Sequence, residues 1–234
     1  KVCVEGGKRL LSWCEKKGLP ILRCGKVIAP QKIELDSQLD VLMERGKKNG
    51  AEVYLINEEE FVERVPNGFT TSGRAIWSPN TCVVNPKAIL KTLKDSLEKK
   101  GVKFIFNRSI IKINDQRREV IVNANGINER IYYGHIFNTA GLQADKIANE
   151  FRLADNFKIL PFKGIYWKLD PSSGLSFNTN FYPVPDLNIP FLGIHVTPST
   201  DGSINLGPTA IPALGRENYM GFENLEPIMS IEFL

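Results

Sequence analysis

Histidine is scarce in this 234-residue chain. His135 and His195 are its only two, which excludes a metal site built from several imidazoles. Cysteine is almost as rare, at positions 3, 14, 24 and 82, and no pair has Cys-x-x-Cys spacing. That argues against a zinc ribbon or a thioredoxin-type centre and for reduced, mostly structural thiols in a cytosolic-type compartment. No apolar run approaches the roughly 18 residues of a membrane span, and no signal-peptide pattern opens the chain. Gly-x-Gly-x-x-Gly occurs nowhere, so no motif announces a complete dinucleotide site. Charge of one sign is not in excess either. Thirty Lys and Arg against 26 Asp and Glu leave a net +4, too small and too dispersed to point to nucleic acid. The basic pairs Lys47-Lys48 and Lys99-Lys100 sit near expected helix ends, where cations suit the dipole.

The remaining composition, 42% apolar and 24% charged, is ordinary for a globular protein. The length corresponds to one large or two small domains and buries a core without disulfides or metal. Hydrophobic periodicity predicts helices over 5–17, 34–48, 86–100 and 142–152, with Asn57 and Glu60 forming a capping box on a short helix between the second and third. Asn85-Pro86 is a helix start, and Ile89, Leu90, Leu93 and Leu97 form the apolar stripe that follows. Strands are expected at 21–29, 52–56 and 102–107. Then come three short runs, Ile110–Ile113, Val120–Val122 and Ile131–Tyr133, the last two separated by Asn125-Gly126. This is the pattern of a three-stranded antiparallel meander. A fully buried strand is expected at 135–139. From Pro161 onward the pattern changes to β-runs at 162–169, 174–182, 191–197 and 203–207, punctuated by Pro and Gly. The fold class read here is α/β with α+β character, with a boundary near residue 157.

Four segments have residues suited to chemistry. Phe137-Asn138-Thr139-Ala140-Gly141-Leu142 ends a strand in small residues before a helix, which lets backbone approach a ligand closely. An ordinary strand-to-helix turn with glycine at positive φ explains the same residues. Pro161-Phe162-Lys163-Gly164 places a cation at the expected boundary, either as a ligand for an anion or as a surface lysine. Period-2 alternation puts His195 and Thr197 on one strand face and Ile194 and Val196 on the other, making His195 either a general base or a structural histidine. Asn205-Leu206-Gly207-Pro208 ends a strand abruptly and borders a loop.

Together these residues resemble a known family. Phe137-Asn138-Thr139-Ala140-Gly141-Leu142-Gln143-Ala144-Asp145 is similar to the adenine-side strand and turn of the D-amino-acid-oxidase superfamily of FAD-dependent oxidoreductases. Tyr182-Pro183-Val184-Pro185-Asp186, continuing to Gly193-Ile194-His195, resembles more narrowly the L-2-hydroxyglutarate oxidase/dehydrogenase subfamily. Gly207-Pro208, Cys24-Gly25-Lys26 and the opening Lys1-Val2-Cys3-Val4-Glu5-Gly6 resemble it too. The resemblance covers essentially the whole chain and identifies it with the middle part of such an enzyme, since the family's N-terminal Gly-x-Gly-x-x-Gly unit, N-terminal histidine and C-terminal return to FAD have no counterpart here.

The resemblance implies an incomplete Rossmann-like FAD domain with a β-meander over residues 1–157, interleaved with substrate-domain elements. An antiparallel substrate sheet over 158–234 would roof the flavin. It implies FAD as cofactor, with the backbone of Ile110 on the adenine edge and Thr139, Ala140 and Gly141 lining the cofactor. It implies oxidation of L-2-hydroxyglutarate to 2-oxoglutarate by hydride transfer to flavin. The candidate catalytic residues are His195 as base, Tyr182 as a donor to a carboxylate and Lys163 as charge; in the competing assignment His195 only braces the sheet. The implied partners are a small 2-hydroxy acid and an electron acceptor, either oxygen or a membrane quinone. The implied location is cytoplasmic or peripheral on the inner face of a membrane. A non-catalytic remnant and a related FAD-dependent amino-acid oxidase are the alternatives.

Overall fold

The computed structural model describes residues 2–188 and 191–227. Of the segments quoted above, Lys1, Ile189, Pro190 and residues 228–234 lie outside the described residues. In chain order the first elements are α1 (Val2–Lys16), β1 (Ile21–Leu22), β2 (Lys26–Ala29), α2 (Ser37–Lys48), β3 (Tyr54–Ile56), α3 (Glu58–Arg64), β4 (Ala75–Ser78), β5 (Val83–Val84) and α4 (Pro86–Glu98). The meander follows as β6 (Ser109–Asn114), β7 (Glu119–Ala124) and β8 (Ile127–Tyr132), then α5 (Ala144–Asn149). The remainder is β9 (Phe162–Lys163), β10 (Trp167–Lys168), β11 (Asn180–Pro183), β12 (His195–Pro198), β13 (Ile204–Gly207) and β14 (Ile211–Pro212).

The chain forms two compact units. One comprises residues 1–96 and 164–210, the other 97–163 and 211–234. The composition shift near residue 157 falls inside the second unit, and the chain passes between units at 96/97, 163/164 and 210/211.

The first unit is built on a seven-stranded sheet, ordered β10-β13-β12-β11-β2-β4-β3. Its pairs are antiparallel except β11 with β2, where two distant segments of sequence meet in parallel. Alternation along β2 sorts its residues onto two cores. Val27 and Ala29 join Ile56, Phe61, Val65 and Ala75 on one face, where α3 supplies Phe61. Ile28 faces the other way, against Leu39 of α2, Ile76 and Val184. Helix α3 starts as its sequence predicts. Asn57 Oδ1 accepts from the Glu60 amide at 2.9 Å, and the Glu60 carboxylate accepts from the Asn57 amide at 3.2 Å.

In the second unit the antiparallel meander β6-β7-β8 packs Ile113, Val120 and Val122 against Ile147 and Phe151 of the α5 region. Asn125 and Gly126 both take positive φ, 51° and 88°, as a tight hairpin turn requires.

Several expected elements differ. The run at 21–29 is two strands, because Gly25 turns the chain at φ 63°, so β1 pairs with β5 and β2 with β4 and β11. Residues 102–107 form no strand: a strand needs a neighbour for its backbone groups, and no described strand pairs with them. The same holds for 135–139, expected to be fully buried, where Phe137 is 82% exposed. The apolar stripe of α4 also stays open, with Leu90 66% exposed. The helix at 142–152 is shorter, a 3₁₀ turn over Gly141–Gln143 leading into α5. The β-runs at 174–182 and 191–197 contract to β11 and β12.

Candidate active site and cofactor cradle

In the first unit, strand register decides which side chains meet. Phe181 of β11 pairs with Val196 of β12, so Tyr182 and His195 project together from the opposite face. Thr197 pairs with Asn205, and His195 with Gly207, which brings β13 to the same face. The two rings stack with centroids 4.0 Å apart and planes 13° from parallel. With Tyr166, Thr197 and Asn205 they line a cavity of about 450 Å³. Gly207 lets the Ile165–Tyr166 segment approach closely: a Cβ there would stand 2.8 Å from the Ile165 carbonyl and 2.9 Å from Tyr166 Cδ1. Asn205 is held in place by donating to Ser199 Oγ at 2.8 Å.

His195 Nδ1 lies 3.2 Å from the Gly193 carbonyl oxygen. A carbonyl only accepts, so this contact assigns the proton of the neutral imidazole to Nδ1. Nε2 is then the basic nitrogen. An imidazole held in this tautomer has Nε2 free to accept the proton of a bound hydroxyl.

Lys26 stands beside Tyr182, and sequence reasoning did not single it out as a candidate. Its ammonium lies 5.4 Å from the Tyr182 ring centroid, on the strand beside β11, and burial pushes its pKa down. The available signal was local: a lysine opening the otherwise apolar β2, directly after Cys24-Gly25. The other histidine, His135, is exposed beside Phe137, with ring centroids 4.7 Å apart.

In the second unit, a cavity of about 700 Å³ brings Ile110 and Ala140 together, with Arg108, Gln143, Lys146 and Glu217 among its other lining residues. Strand β6 is an edge of the meander, and its register slips between Ile110 and Lys112, so Ile111 is the extra residue of a bulge. An edge strand has backbone donors and acceptors that no neighbouring strand takes up. The 138–142 turn is held by Asn138, which accepts from the Ala140 amide at 3.2 Å and donates to the Ala144 carbonyl at 2.8 Å. Thr139 is exposed beside it. Gly141 takes φ 53°, and nothing stands within 4 Å of where its Cβ would be. A backbone edge that no strand takes up, an apolar wall at Ile110 and an open turn without a side chain fit the flat, edge-bonding adenosine end of FAD.

Behind the turn, Arg216 donates to the Leu142 carbonyl and to both carboxylate oxygens of Asp145, at 2.7 Å to Oδ2. Both residues are buried. Asp145 also accepts from the Lys146 and Ile159 amides at 2.8 and 3.0 Å. The Arg216 guanidinium, with these amides, holds the carboxyl of Asp145 well below the usual carboxylate range. Lys163 belongs to this second unit, where its ammonium donates to Asn218 Oδ1 at 2.9 Å. Of the three candidate catalytic residues, the structure therefore brings His195 and Tyr182 together within one unit.

A family model, DAO, described as FAD dependent oxidoreductase, matches residues 1–230. The chain belongs to this FAD-dependent oxidoreductase family. Among curated relatives, this DAO-family chain is 32% identical over 234 residues to the mitochondrial L-2-hydroxyglutarate dehydrogenase of Mus musculus, covering 95% of the chain and 50% of the relative. It is 30% identical over 218 residues to the L-2-hydroxyglutarate dehydrogenase of Escherichia coli strain K12, covering 93% and 51%. The chain thus spans about half the length of these relatives. Among solved structures, L-alpha-glycerophosphate oxidase from Mycoplasma pneumoniae with FAD bound aligns with a TM-score of 0.77 at 22% identity, over 97% of this chain and 60% of that one. Glycine oxidase from Geobacillus kaustophilus aligns with a TM-score of 0.69 at 15% identity, over 90% and 54%. These similarities establish the DAO fold expected from the motif at 137–145. Among the described residues no helix is long and apolar enough to cross a membrane.

Proposed function

We propose that the full-length protein oxidises L-2-hydroxyglutarate to 2-oxoglutarate. The observation that carries this reading is the 30–32% identity, over at least 93% of the chain, to L-2-hydroxyglutarate dehydrogenases of both a mammal and a bacterium. The bound FAD supplies the hydride acceptor. The residues of this chain divide the remaining work. In the first unit, His195 Nε2 accepts the proton of the substrate hydroxyl while hydride leaves the adjacent carbon, and the Tyr182 hydroxyl donates to a substrate carboxylate. The stack with Tyr182 and the contact to the Gly193 carbonyl keep the imidazole in one orientation and one tautomer. In the second unit, the Ile110 backbone and Thr139, Ala140 and Gly141 receive the adenosine end of FAD. Lys163, steadied by Asn218, is that unit's candidate cation for an anionic group. Oxygen or a membrane quinone then takes the electrons.

The deciding experiment is anaerobic reduction of the purified full-length flavoprotein. L-2-hydroxyglutarate should bleach the oxidised flavin absorbance, while the D-enantiomer, L-glutamate and glycine should not. Bleaching by an amino acid without bleaching by the hydroxy acid overturns the assignment. Oxygen uptake on aerobic turnover, compared with reduction of an added quinone, separates the two acceptors.

A further inference from the structure

We infer that Lys26 makes the site selective for dicarboxylates, its ammonium holding the carboxylate remote from the reacting carbon. The inference rests on the proposed oxidation of a 2-hydroxy diacid and names the residue that recognises the second acid group.

The placement follows from register. Parallel pairing sets Lys26 beside Asn180 and Ile28 beside Tyr182, so Lys26, Asn180 and Tyr182 share a sheet face. Antiparallel pairing extends that face to His195, Thr197 and Asn205. Strand β11 lies between β12 and β2, so across the sheet the order is His195, Tyr182, Lys26. The imidazole stacks on Tyr182 at 4.0 Å, and the ammonium lies 5.4 Å from the centroid of the same ring. Proton acceptor and cation therefore lie against the same phenol ring, with the imidazole centroid and the ammonium no more than about 9.4 Å apart. A five-carbon 2-hydroxy diacid bridges such a gap: its hydroxyl meets the imidazole, and its second carboxylate, two methylenes beyond the reacting carbon, meets the ammonium.

The electrostatics point the same way. Lys26 is half-buried, and burial alone lowers its pKa, with no acid contributing. Among the described residues no Asp or Glu forms an ion pair with it. A partly desolvated ammonium without a counter-ion is costly, and a bound carboxylate offsets that cost. The ring contact with Tyr182 contributes some attraction and aims the side chain, but a ring quadrupole does not neutralise a full charge. A monocarboxylic hydroxy acid would occupy the His195–Tyr182 end and leave Lys26 without its anion.

The test uses full-length holoenzyme: wild type, Lys26→Met, Lys26→Gln and Lys26→Arg. Glutarate and butyrate are titrated as unreactive diacid and monoacid, and the oxidised flavin spectrum reads binding. L-2-hydroxyglutarate and L-2-hydroxybutyrate are compared as substrates. Loss of a charge-assisted hydrogen bond predicts that Lys26→Met and Lys26→Gln raise the glutarate Kd and the L-2-hydroxyglutarate KM about 10- to 100-fold. Butyrate Kd should stay within about twofold, and Lys26→Arg should recover most of the diacid preference. A purely structural lysine would weaken both ligands alike or lower flavin content without changing their ratio. An unchanged glutarate-to-butyrate ratio in whichever neutral variant retains flavin overturns the inference while leaving the proposed reaction intact. If wild-type enzyme neither binds glutarate nor is reduced by L-2-hydroxyglutarate, both fall.

Discussion

Tyr182 lies face to face with His195, the ring centroids 4.0 Å apart on neighbouring antiparallel strands. The phenol thus fixes the plane of the one imidazole that the first unit contributes to its cavity, and the Gly193 carbonyl fixes its tautomer. If His195 Nε2 is the base, His195→Gln lowers kcat by about 10²–10⁴ with flavin content unchanged, the usual worth of general base catalysis. If His195 only braces the sheet, the variant loses stability or flavin while the retained holoenzyme turns over normally. Flavin stoichiometry and kcat measured on the same preparation distinguish the two.

The bulged edge at Ile110 makes a backbone prediction. Ile110→Val keeps the amide and the strand conformation, so FAD affinity of the full-length protein should be unchanged. Ile110→Pro removes the N–H offered to the adenine edge, and FAD affinity should fall. FAD titration of the two apoproteins checks this, and equal affinities would remove Ile110 from the cradle.

Gly141 gives a second test of the same cradle. Its φ of 53° lies in the left-handed region, where a β-branched residue costs roughly 1–2 kcal/mol or more. The space beyond it is open, so no protein atom opposes a side chain there. Gly141→Val should therefore fold with a modest loss of stability and purify with substoichiometric flavin. A full flavin complement in that variant would show that the turn does not face the cofactor.

The Asp145–Arg216 pair should dominate the stability of the second unit. Removing one partner leaves the other charge buried, so Asp145→Asn or Arg216→Met should cost about 3–5 kcal/mol by denaturant unfolding. Acid should reveal the same pair. The Asp145 carboxyl is held below the usual range in the folded state, so its contribution is complete above the unfolded value near pH 4. It is lost as pH falls through the lower folded value. The gap in Tm between wild type and Asp145→Asn should hold steady above about pH 5 and narrow as pH falls below about pH 4.

Gly25 allows a packing prediction next to Lys26. Its φ is 63°, and a Cβ there would overlap the Trp77 ring. Gly25→Ala adds that overlap to left-handed strain, so a loss of about 2–4 kcal/mol is expected. The indole must move, and because Arg64 lies over it at 5.3 Å, altered tryptophan fluorescence should accompany the loss.

Local chemistry determined much of this protein. The capping box at Asn57 and Glu60, the helix start at Asn85-Pro86 and the hairpin turn at Asn125-Gly126 each depend on neighbours in sequence, and each forms as read, whereas the alternation read over 191–197 holds only from His195 onward. The family was legible for the same reason, since the residues of 137–145 and of 182–195 are contiguous. Tertiary structure decided the rest. Residues 102–107 and 135–139 have strand-like composition, but a strand exists only with a partner for its backbone groups, and none of the described strands supplies one. The unit boundaries escaped the composition shift because the chain crosses between units three times, and each unit combines segments far apart in sequence. The juxtaposition of Lys26 with Tyr182 is the strongest case. It depends on the parallel register of β2 with β11, a pairing of segments more than 150 residues apart that no local pattern encodes.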